Sequence, residues 1–252
     1  MHTDIRNALC KVPEVTLGFW IIKTFATTLG ETGGDAVSMS MNLGYLVSTA
    51  IFMAVFITAV AAQIKAKQFH PILYWATIVA STTVGTTLAD FATRSVGIGY
   101  SGGTALLFTL LIVSFFIWYR TLGSINISTV SSPKSESFYW LTIMFSQTLG
   151  TALGDWTADT AGLGYLGGAA IFSSLLLLIA LAYFFTKISH TVLFWFAFVL
   201  TRPLGAVVGD YLDKPAAQGG LELSRYSATA ALIALIMLCI FVFPQRASQK
   251  AH

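Results

Sequence analysis

The chain has 252 residues, 56 % of them hydrophobic and only 10 % charged, with a net charge of +3. An ordinary soluble domain carries roughly a quarter charged residues, and a soluble globule this apolar could not cover its own surface. Together with a mean hydropathy of +0.75, this points to a polytopic membrane protein and excludes soluble catalysis. It also excludes nucleic-acid binding, since no basic cluster exceeds Lys65 and Lys67.

In chain order, the polar, mixed-charge stretch from Met1 to Pro13 lacks the basic-then-apolar order of a signal peptide, so the first helix is expected to remain in the mature protein. Apolar windows then fall at 17–34, 44–63, 72–90, 103–120, 139–155, 165–186, 191–210 and 226–244. Each is close to the ~20 helical residues that cross a bilayer core. None shows strand-like alternation, so an all-α membrane protein with eight transmembrane helices is expected. Between the fourth and fifth windows, the Ser-rich segment Thr121 to Ser137 with Pro133 is the one long linker. It divides a single membrane domain into halves, 1–126 and 127–252.

Arg6, Lys11, Lys65, Lys67, Arg120, Lys134, Lys187, Arg246 and Lys250 fall on the side that holds both termini, whereas Arg94, Lys214 and Arg225 fall on the other. The positive-inside rule places the termini in the cytoplasm. Cys10 and Cys239 lie near opposite ends of the chain and suggest neither a disulfide framework nor a thiolate metal site.

An internal repeat organises the odd-numbered spans. Each opens with an aromatic residue and Trp: Phe19-Trp20, Tyr74-Trp75, Tyr139-Trp140 and Phe194-Trp195. Ten residues after each Trp stands Gly30, Gly85, Gly150 or Gly205, and fifteen after it Asp35, Asp90, Asp155 or Asp210. Nine beyond each Asp comes Gly44, Gly99, Gly164 or Gly219, followed by Tyr in the first three and by Gly220 in the fourth. The tryptophans are 55, 65 and 55 residues apart, as in a duplicated pair of helical hairpins. Four two-span units share one orientation, so parallel pseudo-symmetry about the membrane normal is expected. The tryptophans read as structural residues of the headgroup interface and the glycines as close-packing positions between helices. The more charged connection of the fourth unit predicts a different shape there.

On these residues the chain resembles the bacterial inner-membrane family defined only by a tandem repeat of unknown function, each repeat holding two transmembrane segments and a characteristic Trp. Here the pattern falls on Trp20, Trp75, Trp140 and Trp195 and covers nearly the whole chain. The resemblance implies a multi-pass inner-membrane protein and no particular chemistry.

The acids are where chemistry is expected. Fifteen helical residues rise about 22 Å, so the repeat aspartates form a layer in the outer third of the membrane. Each has a charged companion: Glu31 before Asp35, Arg94 after Asp90, Asp159 after Asp155 and Asp213 after Asp210. Two readings stand. In one, the aspartates lie in outer turns and cap short helices. In the other, Glu31, Asp35, Asp155 and Asp159 are metal ligands, with Thr28, Thr32, Ser38, Thr148, Thr151 and Thr157 completing an oxygen-lined cation site. Gly33-Gly34 would then break the first helix and free carbonyls as further ligands. Asp90 with Arg94 is expected to be structural.

Arg202, Asp210 and Lys23 are candidate gating or counter-ion residues. Arg202 shares its place in the repeat with Thr27, Thr82 and Gln147 and is a counter-ion for Glu31 or another acid, while Pro203 is expected to kink its span. Lys23 reads as a snorkelling interface residue. His2, His70, His190 and His252 all lie in termini or loops, which excludes a b-type haem. No His-Glu-x-x-His or Gly-x-Ser-x-Gly motif is present, so no enzyme activity and no cofactor are expected.

The function expected is a transporter or channel for a small cation, a divalent metal ion foremost. The alternatives are a proton-coupled transporter of a small organic solute and a non-transporting scaffold or sensor. The partners are the bilayer and the transported cation, with oligomerisation left open.

Overall fold

The computed structural model describes residues 10–248; Arg6, Lys250, His2 and His252 lie outside the described residues. Eight long helices form it: α1 (Leu17–Asp35), α2 (Gly44–Lys65), α3 (Pro71–Asp90), α4 (Gly99–Leu122), α5 (Pro133–Asp155), α6 (Gly164–Phe185), α7 (His190–Asp213) and α8 (Arg225–Val242). There is no strand among the described residues. All except α1 and α5 are long and apolar enough to cross a membrane. Those two carry more polar residues, and the bundle buries most of them.

Local chemistry sets the helix ends. The Thr16 side chain accepts from the Phe19 N–H at the start of α1. Pro71 and Pro133 occupy the first turns of α3 and α5, where a missing N–H costs nothing. Ser132 and Ser135 cap α5 reciprocally. Past Asp35, Asp90 and Asp155 the chain makes a five-residue π turn, Ala36–Ser40, Phe91–Ser95 and Trp156–Thr160. Two left-handed residues follow, Asn42 and Gly44 in the first connection, Gly97 and Gly99 in the second, Gly162 and Gly164 in the third. The glycine nine after each of these aspartates is therefore a turn residue with positive φ, where a Cβ is strained, and not the helix-packing position expected.

The glycines ten after each Trp do pack helices. A Cβ on Gly30 would meet the Thr82 side chain, on Gly85 the Gln147 backbone, on Gly150 the Arg202 side chain and on Gly205 Thr27. Each helix thus indents for the polar residue of the next. α1, α3, α5 and α7 close into a ring, α1 on α3, α3 on α5, α5 on α7 and α7 on α1. Outside it, α2 packs on α3, α4 on α5, α6 on α7 and α8 on α1, so each outer helix covers the inner helix of the following repeat. The outer helices leave apolar faces exposed, including Leu46, Phe108, Leu178 and Phe241.

The Trp end of the ring is shut. Tyr74, Trp75, Tyr139, Trp140 and Trp195 are buried in one aromatic cluster, with Tyr74 and Tyr139 sharing a 2.6 Å hydroxyl hydrogen bond. Of the four repeat tryptophans only Trp20 is half-buried, so these four are core residues and not an interfacial belt. Across this end runs a strap in which Pro13 pairs with Ala247 and Ser248 N–H donates to Val12. Lys11 caps the last carbonyls of α2, at Gln63 and Ile64, and meets Glu136 at 2.7 Å. Cys10 is buried there, and burial raises its thiol pKa; it and Cys239 are free thiols.

Candidate functional site

Side chains four apart share a helix face, and on the ring helices they stack in layers from the Trp end. Lys23, Ile78, Ile143 and Phe198 make the first, then Thr27, Thr82, Gln147 and Arg202, then Glu31, Thr86, Thr151 and Ala206, and last Asp35, Asp90, Asp155 and Asp210. Arg202 is fully buried, and its Nη2 reaches into the next layer to touch all three other ring helices. It donates to Glu31 Oε2 at 2.9 Å, Thr86 Oγ1 at 2.6 Å and Thr151 Oγ1 at 2.5 Å. A Cβ on Gly209 would collide with Glu31, so the pair is held by close backbone approach as well as charge.

None of the four repeat aspartates is more than 4 % exposed, and Asp35, Asp90 and Asp155 make no side-chain cap to the turns that follow them. The turn-and-cap reading is therefore set aside: these carboxylates sit inside the bundle, and cations compensate them. Arg94 pairs with Asp90 at 2.9 Å and with Asp155 at 3.5 Å. Lys214, just beyond α7, contacts Asp35 and lies 3.1 Å from Asp210. Arg225 bonds Asp213 at 2.8 Å and lies 3.9 Å from Asp35. Burial acts against the charge on Lys214, but Asp210, Asp35 and Asp213 outweigh it and hold the ammonium pKa above its ordinary value.

The expected ligand set is only partly brought together. Carboxylate oxygens of Glu31, Asp35 and Asp210 lie within 4.8 Å of one another. Asp155 is instead drawn to Arg94, and Asp159 is exposed. It lines a polar cavity of about 500 Å³ with Arg94, Tyr165, Asp210, Lys214 and Gln218. A larger cleft, about 1000 Å³, has only uncharged lining residues such as Phe108, Leu178 and Phe196 and plays no part in this chemistry. Thr28 and Thr148 donate to their own helices, at Thr24 and Met144. Thr32 shares a hydrogen bond with Thr229, Thr157 bonds Leu153, and Ser38 is buried.

Two further expectations are corrected. α1 runs unbroken through Gly33-Gly34, because Gly34 packs on Thr86 and the Ala36 N–H still bonds Thr32 and Gly33. No carbonyl is freed there. Lys23 does not snorkel: it is fully buried, its Nζ 4.1 Å from the Phe198 ring centroid. α7 stays helical across Pro203, whose Cδ a Cβ on Gly150 would meet.

The roles of Lys214, Arg225 and Thr86 were not read from the sequence. For Thr86 the signal was present, as the step of four that runs from Thr82 to Asp90. For Lys214 and Arg225 it was not, since both are reached only through the altered fourth connection.

The same repeat decides the relationship. The family described as Repeat of Unknown Function (DUF347) matches at residues 18–69, 73–124, 138–189 and 193–246. The chain belongs to this family. Each match begins beside the aromatic-Trp pair of an inner helix and includes the outer helix after it, so the family unit is one inner-outer hairpin. No curated protein and no solved structure matches the chain.

Proposed function

We propose that this chain is an inner-membrane carrier of a small hard cation, foremost a divalent metal ion, in which all eight helices cross the bilayer. In this reading the four repeats are pseudo-symmetric about the membrane normal, both termini are cytoplasmic and the aspartate layer faces outward. The cyclic helix pairing supports the symmetry, and the outer helices and α3 and α7 shield the polar α1 and α5 from lipid. The basic residues of the Trp side support the orientation. A cysteine placed at Leu221 is expected to be labelled from outside and one at Ser132 not; the opposite pattern overturns the orientation.

The observation that carries the reading is the convergence of Glu31, Asp35 and Asp210, whose oxygens lie within 4.8 Å of one another inside the ring. Buried carboxylates in a membrane are costly and mark ion paths or paired contacts. At this end Glu31, Asp35, Asp90, Asp155, Asp210 and Asp213 face Arg94, Arg202, Lys214 and Arg225. With Asp159 also lining the cavity, acids outnumber cations at this end, which favours a cation as the ligand. All-oxygen ligands select hard ions. Lys214, between Asp35 and Asp210, stands where the cation would bind, so it acts as a tethered surrogate that the ion displaces on arriving through the polar cavity. Arg202 on the ring axis favours a carrier over an open pore: passage requires it to leave Glu31.

Uptake of a panel of divalent metals into proteoliposomes tests this. Asp35→Asn and Asp210→Asn are each expected to abolish uptake while the protein remains folded. Lys214→Met is expected to keep metal binding and lose turnover. Unchanged uptake in both Asn variants leaves the acids as packing residues. A zwitterionic organic solute is the second reading, favoured by the mixed charges of Arg94, Asp159, Asp210 and Lys214 around the cavity; solute-stimulated uptake without metal would select it.

A further inference from the structure

The Trp side of Arg202 holds polar groups that the acid layer does not use. Lys23 lies in a layer with Ile78, Ile143 and Phe198, every one of them fully buried. Its Nζ has no hydrogen-bond partner among the described residues. No carboxylate pairs with it there, and the charge that acts on it is that of Arg202, of the same sign. In the next layer, Thr82 Oγ1, both amide atoms of Gln147, and Nε and Nη1 of Arg202 are likewise buried and unpartnered among the described residues. Each of the four ring helices therefore contributes at least one such group: Lys23 from α1, Thr82 from α3, Gln147 from α5, beside Thr142 and Ser146, and Arg202 from α7.

A buried ammonium near a buried guanidinium is unfavourable unless an anion accompanies it or the amine gives up its proton. Glu31 neutralises Arg202, at 2.9 Å, and is held on the other side of the guanidinium by the Thr86 and Thr151 layer. Lys23 has no counter-charge among the described residues, so its ammonium form is favoured only with an anion beside it. We propose that Lys23, Thr82, Gln147 and Arg202 form an internal site for one small monovalent inorganic anion of the chloride type. All four side chains offer N–H or O–H donors, and none is a carboxylate that would repel the ion. One negative charge balances Lys23, whereas a sulfate or a doubly charged phosphate would leave a buried excess. This site lies across Arg202 from the carboxylates and stands whether or not they carry a cation.

Thermal unfolding of the purified full-length protein in lipid nanodiscs tests it, with sodium chloride or bromide compared against sodium gluconate at equal ionic strength. Tm is expected to rise with halide and to saturate, as a ligand that binds only the folded state requires. Lys23→Met is expected to abolish the halide response. Gln147→Leu is expected to weaken apparent affinity about tenfold, as the loss of one hydrogen bond to a charged group. Lys67→Met, at an exposed position, is expected to respond as wild type. Equal Tm in halide and gluconate overturns the proposal, and so does a halide response that Gln147→Leu leaves unchanged. Should Lys23→Met not fold, Gln147→Leu and an anomalous bromide peak beside Lys23 in crystals decide it: a peak there supports the site, and its absence removes it.

Discussion

Repeats one to three and repeat four share a scaffold and differ in charge. In the first three, the inner helix ends at the aspartate, turns through five π residues and restarts at a left-handed glycine. In the fourth, α7 runs three residues past Asp210 to Asp213, and the chain returns through a short 3₁₀ turn at Ala216–Gln218. That change of path brings Lys214 and Arg225 against the acids. The layer that holds Thr27, Thr82 and Gln147 holds Arg202 in repeat four alone. One repeat therefore supplies three of the four cations that compensate acids contributed by all four. The comparison teaches that duplication built the ring and divergence of one copy charged it. Neutral, small side chains suffice for the packing.

The largest effect is expected on removing what is peculiar to repeat four. Arg202→Gln gives that repeat the residue of repeat three and strands Glu31, at a cost of about 3–5 kcal/mol for breaking a buried ion pair. Glu31→Gln added to it should recover most of that loss in a chemical-unfolding series. If the double variant is no more stable than Arg202→Gln alone, the cost does not come from stranding Glu31. A smaller effect is expected within repeat two. Asp90→Asn takes from Arg94 one of two carboxylate partners and costs about 1–3 kcal/mol, with metal uptake retained, because Asp155 still lies 3.5 Å from the guanidinium. Lost uptake at unchanged stability would move Asp90 into the ion site. Smallest is the turn shared by the first three repeats: Gly164→Ala, at φ 64° with open space around its Cβ position, should cost about 1–2 kcal/mol from backbone strain alone. A neutral result in thermal unfolding would show that the turn relaxes.

The helices were legible in the sequence because hydropathy is a local property: the observed ends of α1 to α8 lie within a few residues of the apolar windows, apart from the polar first turns of α4 and α5. The repeat was legible because it fixed spacings. The partners were not. Glu31 was rightly given Arg202 as a candidate counter-ion, yet nothing local says that Lys214 reaches Asp35, 179 residues earlier, or that Asp155 turns toward Arg94. Trp75 and Trp195 were misplaced for a related reason. Aromatic residues at a helix start satisfy both a lipid interface and a buried cluster, and only the indole acceptors, Gln245 on the strap and Ile125 between α4 and α5, separate the two.

The closure of α7 and α8 onto α1 fixes an order of events during synthesis. Glu31 is made 171 residues before Arg202, which at about 5–20 residues per second is roughly ten to thirty seconds of translation. For that interval α1, one of the two helices too polar to count as a candidate span, has neither its guanidinium nor its outer cover, and its carboxylate needs a proton or water in their place. Thr86 on α3, the first neighbour to emerge, already reaches both the Gly30 carbonyl and the Glu31 carboxylate. It is therefore the residue that would hold the carboxylate in place until the nascent chain delivers the seventh helix.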